Sequence, residues 1–156
     1  MNLKTLIQKI KGPKEILAAA LAAIFVFSLA AYLAKTPKIR YSFRFQSVDS
    51  GRDNIEWRLL PYRKGSQKVV LYVEELLLGP KTERSRPVFS PGTRVDFCFD
   101  RGKVLYVGLT PALLEKSGNA SEIMDGIQLF KKNVRSAFPK FKQIEIYIDK
   151  KGLIGD

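Results

Sequence analysis

The sequence predicts an α+β protein: an N-terminal transmembrane helix, then a two-layer domain of order β-β-α-β-β-α-β with two helices on one mainly antiparallel sheet. Three observations predict it. A run of 19 uncharged residues, Ile16 to Ala34, is apolar on every side. Several short segments alternate apolar and polar residues at strand period, and two longer ones repeat apolar residues at helical period. Packing the two helices against the strands is the simplest arrangement that buries every apolar stripe.

The elements follow in chain order. Residues 1–15 form a basic N-terminus, residues 16–34 a transmembrane helix, residues 35–38 a linker, and residues 39–156 the domain. As a helix, the apolar run is roughly 28 Å long, close to the bilayer core of ~30 Å. Ser28-Leu29-Ala30 offers small residues for signal cleavage. The run nevertheless exceeds an ordinary signal core of about 7–15 residues and continues past that point, so an uncleaved anchor is expected. Lys4, Lys9, Lys11 and Lys14 precede it with only Glu15 as an offset. The positive-inside tendency then keeps the N-terminus in the cytoplasm and places the domain outside the cell membrane, on a single pass.

In the domain, Ile39, Tyr41, Phe43 and Phe45 alternate with Arg40, Ser42, Arg44 and Gln46, and Ile55, Trp57 and Leu59 alternate with Glu56 and Arg58. Both read as half-buried strands joined by the turn-forming Asp49–Asn54. Val69, Val73, Leu76 and Leu77 mark one stripe of a helix that stops at Gly79-Pro80. Val95, Phe97 and Phe99 are expected on the buried face of a strand, with Asp96 and Cys98 opposite. Asp100-Arg101-Gly102 turns into a partner strand carrying Leu105, Val107 and Leu109. Asn119 to Glu122 has the spacing of a capping box. Ile123, Ile127, Phe130, Val134 and Phe138 then follow at helical spacing, and Ile144, Ile146 and Ile148 form the last strand.

Composition removes whole chemistries. The chain has no histidine and one cysteine, Cys98. A Ser-His-Asp triad, a Cys-His pair, an imidazole metal ligand, an internal disulfide and a Cys₄ zinc site are therefore excluded. Glu74 and Glu75 are adjacent on a helix and project about 100° apart, so they do not form a facing acid–base pair. No enzyme activity and no cofactor or metal is expected.

Lysine and arginine total 27 against 15 acids, a formal charge of +12. Arg40, Arg44 and Arg58 are expected on the sheet face opposite the aromatic stripe, with Arg52, Arg63, Lys64 and Lys68 in adjacent loops. Such a face attracts anionic partners, here lipid headgroups, wall polymer or envelope proteins. Lys131, Lys132 and Arg135 are expected on the exposed side of the second helix, where the helix dipole favours them. Nucleic acid is not an expected partner: Tyr41, Phe43 and Phe45 belong to the buried face, and the domain lies outside the cell. The loop around Phe89 and Pro91 is a candidate partner contact, because loops carry such contacts.

Several of these pieces form an ordered series: Leu77-Leu78-Gly79-Pro80 ending a helix, Phe89-Ser90-Pro91-Gly92-Thr93 before a strand, Asp100 to Val104 as a turn, and Leu109-Thr110 closing the next strand. The series resembles the GerMN domain of the GerM family. The likeness continues through Gln128 to Phe138, a helix centred near Asn133, and through Phe141 to Asp149. It implies an exported or membrane-anchored, non-catalytic assembly component, similar also to ring-building envelope modules. A self-associating ring or belt is the alternative role it implies. Departures are the single copy of the domain, Val134 where the family usually has threonine after the asparagine, and Lys150-Lys151 interrupting the usual Asp-Gly ending. On this resemblance Asn133 is expected to make a structural hydrogen bond to a neighbouring loop.

Overall fold

The structure is a computed structural model that describes residues 12–33, 37–115, 120–148 and 151–153. It divides into two compact units, residues 1–37 and 38–156. The first holds helix α1 (Pro13–Leu33), 21 residues long and apolar around its whole circumference after Lys14 and Glu15 in its first turn. By length and composition it can cross a membrane.

The second unit is α+β. Strands β1 (Lys38–Ser47) and β2 (Asp53–Pro61) form an antiparallel hairpin in register from Lys38↔Pro61 to Gln46↔Asp53. Helix α2 (Gln67–Leu77) follows and ends where Gly79 takes a left-handed φ of 85°. The short strand β3 (Ser85–Arg86) returns to β1. Strands β4 (Val95–Arg101) and β5 (Val104–Leu109) make the second hairpin. The short helix α3 (Ala112–Glu115) and the long helix α4 (Ala120–Ala137) then cross over to β6 (Gln143–Ile148), which pairs parallel to β5. Strand β7 (Lys151–Leu153) adds antiparallel to β6. Asn119, the expected cap of α4, lies outside the described residues.

The fold class is the one the sequence predicts, but the single sheet is not. The strands form two sheets, ordered β2-β1-β3 and β4-β5-β6-β7. The reason lies at the second edge of β1. Residues 42, 44 and 46 share one parity, so their backbone groups point away from β2. Gln46 pairs with β3. At Arg44, however, the Asn133 side chain of α4 accepts the backbone N–H (2.7 Å) and donates to the carbonyl (2.8 Å). At Ser42 the Tyr72 hydroxyl of α2 donates to the carbonyl at 2.9 Å. Helix side chains therefore occupy the edge where another strand would continue the sheet.

Phe43, Phe45, Tyr72, Leu76, Leu105, Val107, Phe130, Val134, Ile144 and Ile146 form one fully buried core. Two strands turn opposite to expectation. On β2, Ile55, Trp57 and Leu59 face outward, at 45, 58 and 63% exposure, while Arg58 and Leu60 are buried. On β4 a bulge between Val95 and Phe97 reverses the alternation: Phe97 joins the outer face beside Phe99, and Cys98 packs against the core.

Candidate functional site

The outer face of the β1–β2 hairpin is a mixed cationic and apolar surface. Antiparallel register sets Arg40 opposite Leu59, Ser42 opposite Trp57 and Arg44 opposite Ile55. The Arg40 guanidinium lies over the Trp57 ring, 4.6 Å from its centroid, a cation–π contact that holds charge and ring together. Arg40 is exposed and Arg44 half-buried; Arg63 and Lys64 are exposed in the loop that leaves β2, beside the exposed Tyr62. Arg52 lies in the turn at the far end of the hairpin, and Lys68 is half-buried in the first turn of α2.

Arg58 does not belong to this surface. It is 4% exposed on the inner face, set against the rings of Phe43 and Phe45 at 4.9 and 5.4 Å. Its guanidinium donates to the Glu75 carbonyl at 3.0 Å and the Gly79 carbonyl at 2.6 Å, and pairs with the Glu56 carboxylate at 2.8 Å. These carbonyls belong to the C-terminal end of α2, where helical acceptors lack intrahelical donors and positive charge is favoured. Burial alone would push the Glu56 carboxyl up. Hydrogen bonds from Arg58 and from the Lys81 backbone N–H outweigh that effect and hold it below its ordinary range. Sequence reasoning took Arg58 for a surface cation because strand alternation alone does not reveal the helix end that receives it.

Asn133 is fully buried and serves β1, a strand rather than the expected loop. It also donates to the Leu129 carbonyl of its own helix at 3.0 Å. Burial raises the Tyr72 hydroxyl well above the ordinary phenol range, so Tyr72 remains a neutral donor to Ser42. Both residues are structural.

The expected partner loop divides. Phe89 is a core residue at 8% exposure, packed on Phe130 at 5.8 Å and against Gly126, where a side chain would strike it. Pro91 is exposed. Beside them lies an open groove of about 810 Å³ whose lining mixes Glu122 and Asp125 with Arg86 and Lys132, so it carries no single sign of charge. Lys131 is buried rather than exposed, while Lys132, which pairs with Asp53, and Arg135 face solvent.

The second sheet also presents an outer face, lined by Phe97, Phe99, Arg101, Tyr106 and Tyr147 around a shallow hollow of about 390 Å³. Its rings pair with one another: Phe99 stacks on Tyr106 at 5.2 Å, and Phe97 contacts Phe99 and Tyr147 at 5.8 and 5.9 Å. Phe97 lies against Gly108, whose missing side chain makes room for the ring. Burial, with the charges of Asp100 and Glu74, pushes the Cys98 thiol up to about 12, so at neutral pH it is not a nucleophile. Among the described residues no His, Cys, Asp and Glu cluster has the geometry of a metal site.

No family model and no curated sequence relative matches the chain. Solved structures do. The first GerMN domain of the sporulation protein GerM from Bacillus subtilis aligns with a TM-score of 0.51 and 14% identity, over 72% of this chain and 85% of that one. The tandem GerMN domains of the same protein align with a TM-score of 0.52 and 14% identity, over 74% of this chain and 41% of that one. A lipoprotein from Clostridium perfringens overlaps more loosely, with a TM-score of 0.48 and 17% identity, over 76% of this chain and 80% of that one. The domain has a GerMN-like fold.

Proposed function

We propose that this chain is a membrane-anchored, non-catalytic interaction module of a cell-envelope assembly, its domain held outside the cytoplasm by α1. One observation carries the reading: a folded domain following an apolar helix of spanning length turns Ile55, Trp57 and Leu59 outward beside Arg40. Large apolar side chains gathered on an exposed sheet face mark contact surfaces in soluble domains. Arg40, Arg44, Arg63 and Lys64 give the face its preference for anionic partners, lipid headgroup, wall polymer or protein. Near an anionic membrane each basic residue contributes about 1 kcal/mol. Anchoring raises the local concentration of the domain, so weak individual contacts suffice.

Protease treatment of intact spheroplasts tests the arrangement. Digestion of the domain without lysis is expected; protection until lysis overturns the external placement. A turnover assay on purified wall material is expected to be negative, and sustained product formation would refute the non-catalytic role.

The aromatic outer face of the second sheet favours a second reading, lateral self-association into a ring or belt. Light scattering of residues 39–156 after size exclusion separates the two. A strict monomer at high concentration disfavours the ring, and concentration-dependent oligomers lost on Phe99→Ser support it.

A further inference from the structure

We infer that the β1–β2 end of the domain is a docking surface for anionic lipid headgroups of the same bilayer that α1 crosses. The inference rests on the anchored reading above and commits its face to one occupant. Three observations point there.

The first is chain length. Five residue steps lead from Leu33, the last residue of α1, to Lys38, the first of β1, and at full extension they reach about 17 Å. Once α1 spans the membrane, the entry end of β1 cannot leave the neighbourhood of the headgroup layer, which is itself roughly 5–7 Å deep on each side.

The second is what the register brings to that end. Lys38 lies opposite Pro61 and Arg40 opposite Leu59, and the chain leaves β2 directly into Tyr62, Arg63 and Lys64. The hairpin terminus nearest the anchor in sequence therefore carries Lys38, Arg40, Arg63 and Lys64, while the opposite end mixes Asp53 with Arg52 and Arg86.

The third is charge and ring chemistry. From Leu33 to Val48 the chain has no acid, and from Ile55 to Val73 the one acid is Glu56, which is tied to Arg58 and the Lys81 backbone. Lys38, Arg40, Arg63 and Lys64 are all exposed at this end, and Asp100, which Ser66 reaches from the same loop, is paired with Lys140. Trp57 and Tyr62, at 58 and 41% exposure, are the ring types that settle at the level of headgroups, with an apolar body inward and a polar atom toward water. Arg40 stacked on Trp57 places a phosphate-binding cation on that ring.

The full chain in lipid nanodiscs tests this, because Trp57 is its sole tryptophan and reports alone. Discs of neutral phosphatidylcholine are compared with discs containing phosphatidylglycerol, each with and without lipids brominated near the headgroup. In anionic discs Trp57 emission is expected to shift to the blue and to be quenched at least twofold by bromine. Both effects should weaken in high salt. Arg63→Glu with Lys64→Glu, at exposed loop positions outside the core, is expected to abolish the anionic dependence, and Arg63→Lys with Lys64→Arg to retain it. Equal emission and quenching in neutral and anionic discs overturns the inference. So does protection of Trp57 from iodide by soluble polyphosphate in neutral discs with no response to anionic lipid, which assigns the face to a polymer. A chain that fails to co-purify with the discs refutes the anchored reading instead, whereas a retained chain with unquenched Trp57 refutes the lipid surface alone.

Discussion

The two sheets expose apolar outer faces of different kinds. On β4-β5-β6 the aromatic side chains cover one another: Phe99 on Tyr106, Phe97 on Gly108 and Tyr147, with the Tyr147 hydroxyl donating to Glu145 at 2.7 Å. On β1–β2, Ile55, Trp57 and Leu59 remain largely exposed, and Trp57 makes its ring contact with a cation, Arg40. Cross-strand aromatic pairs stabilise the sheet that bears them. An isolated ring beside guanidinium groups does little for its own sheet and leaves its surface open to a partner. The difference separates a face whose rings support one another from the face proposed above for contact.

The largest effects are expected beneath the contact face. Arg58→Met strands Glu56 and the carbonyls at the end of α2, and its loss from a buried ion pair is expected to cost about 3–5 kcal/mol in urea denaturation. Asn133→Leu leaves the Arg44 backbone N–H and carbonyl without partners, for about 2–4 kcal/mol. Near-wild-type stability of either variant would mean that the β1–β2 sheet is not held by these helix side chains. On the other sheet, Gly108→Ala displaces Phe97 and is expected to cost about 1–3 kcal/mol, with changed near-ultraviolet dichroism.

Acid titration sharpens the same contrast. Hydrogen bonds from Arg58 and Lys81 hold Glu56 below its ordinary 4.5 despite burial, and those from Lys140 and Ser66 hold Asp100 below 3.8. Folded values below unfolded ones mean that the stabilisation is fully present above the ordinary carboxyl range. It is lost as pH falls through that range and then through the lower folded values. Denaturation midpoints should decline below about pH 4.5, less steeply in Arg58→Met. The smallest stability effects lie on the two outer faces. Phe99→Ser is expected to lose about 1 kcal/mol of cross-strand stacking, and Trp57→Ser to stay within about 0.5 kcal/mol while losing its effect at the membrane. Equal losses at both positions would remove the distinction between the faces.

Much of the fold was legible in the sequence. The hairpins, both long helices and β6 follow from period and turn residues, and the Gly79-Pro80 ending of α2 from the conformational demands of a helix terminus, whereas the short strands β3 and β7 carry no such period. What alternation cannot reveal is which of its two faces is covered. On β2 the apolar parity is Ile55, Trp57 and Leu59, yet Arg58 and Leu60 turn inward, because acceptors some 20 residues away need a donor there. On β4 one bulge reverses the parity. Asn133 was recognisable as a polar residue on an apolar helix, but its role as a substitute strand depends on which edge of β1 meets α4. Among the proposed site residues, Arg40, Arg63, Lys64 and Pro91 are exposed, Arg44 is half-buried, and Arg58 and Phe89 are buried for packing reasons that involve distant segments.

The outward turn of β2 underlies the contact face, and cysteine labelling reads it directly. In a Cys98→Ser background, which removes the native thiol, single cysteines at Trp57 and Leu60 are exposed to maleimide in the detergent-solubilised full chain. The account predicts rapid labelling at 57 and labelling at 60 only after unfolding. Rapid labelling at 60 with protection at 57 would place Trp57 in the core and contradict it.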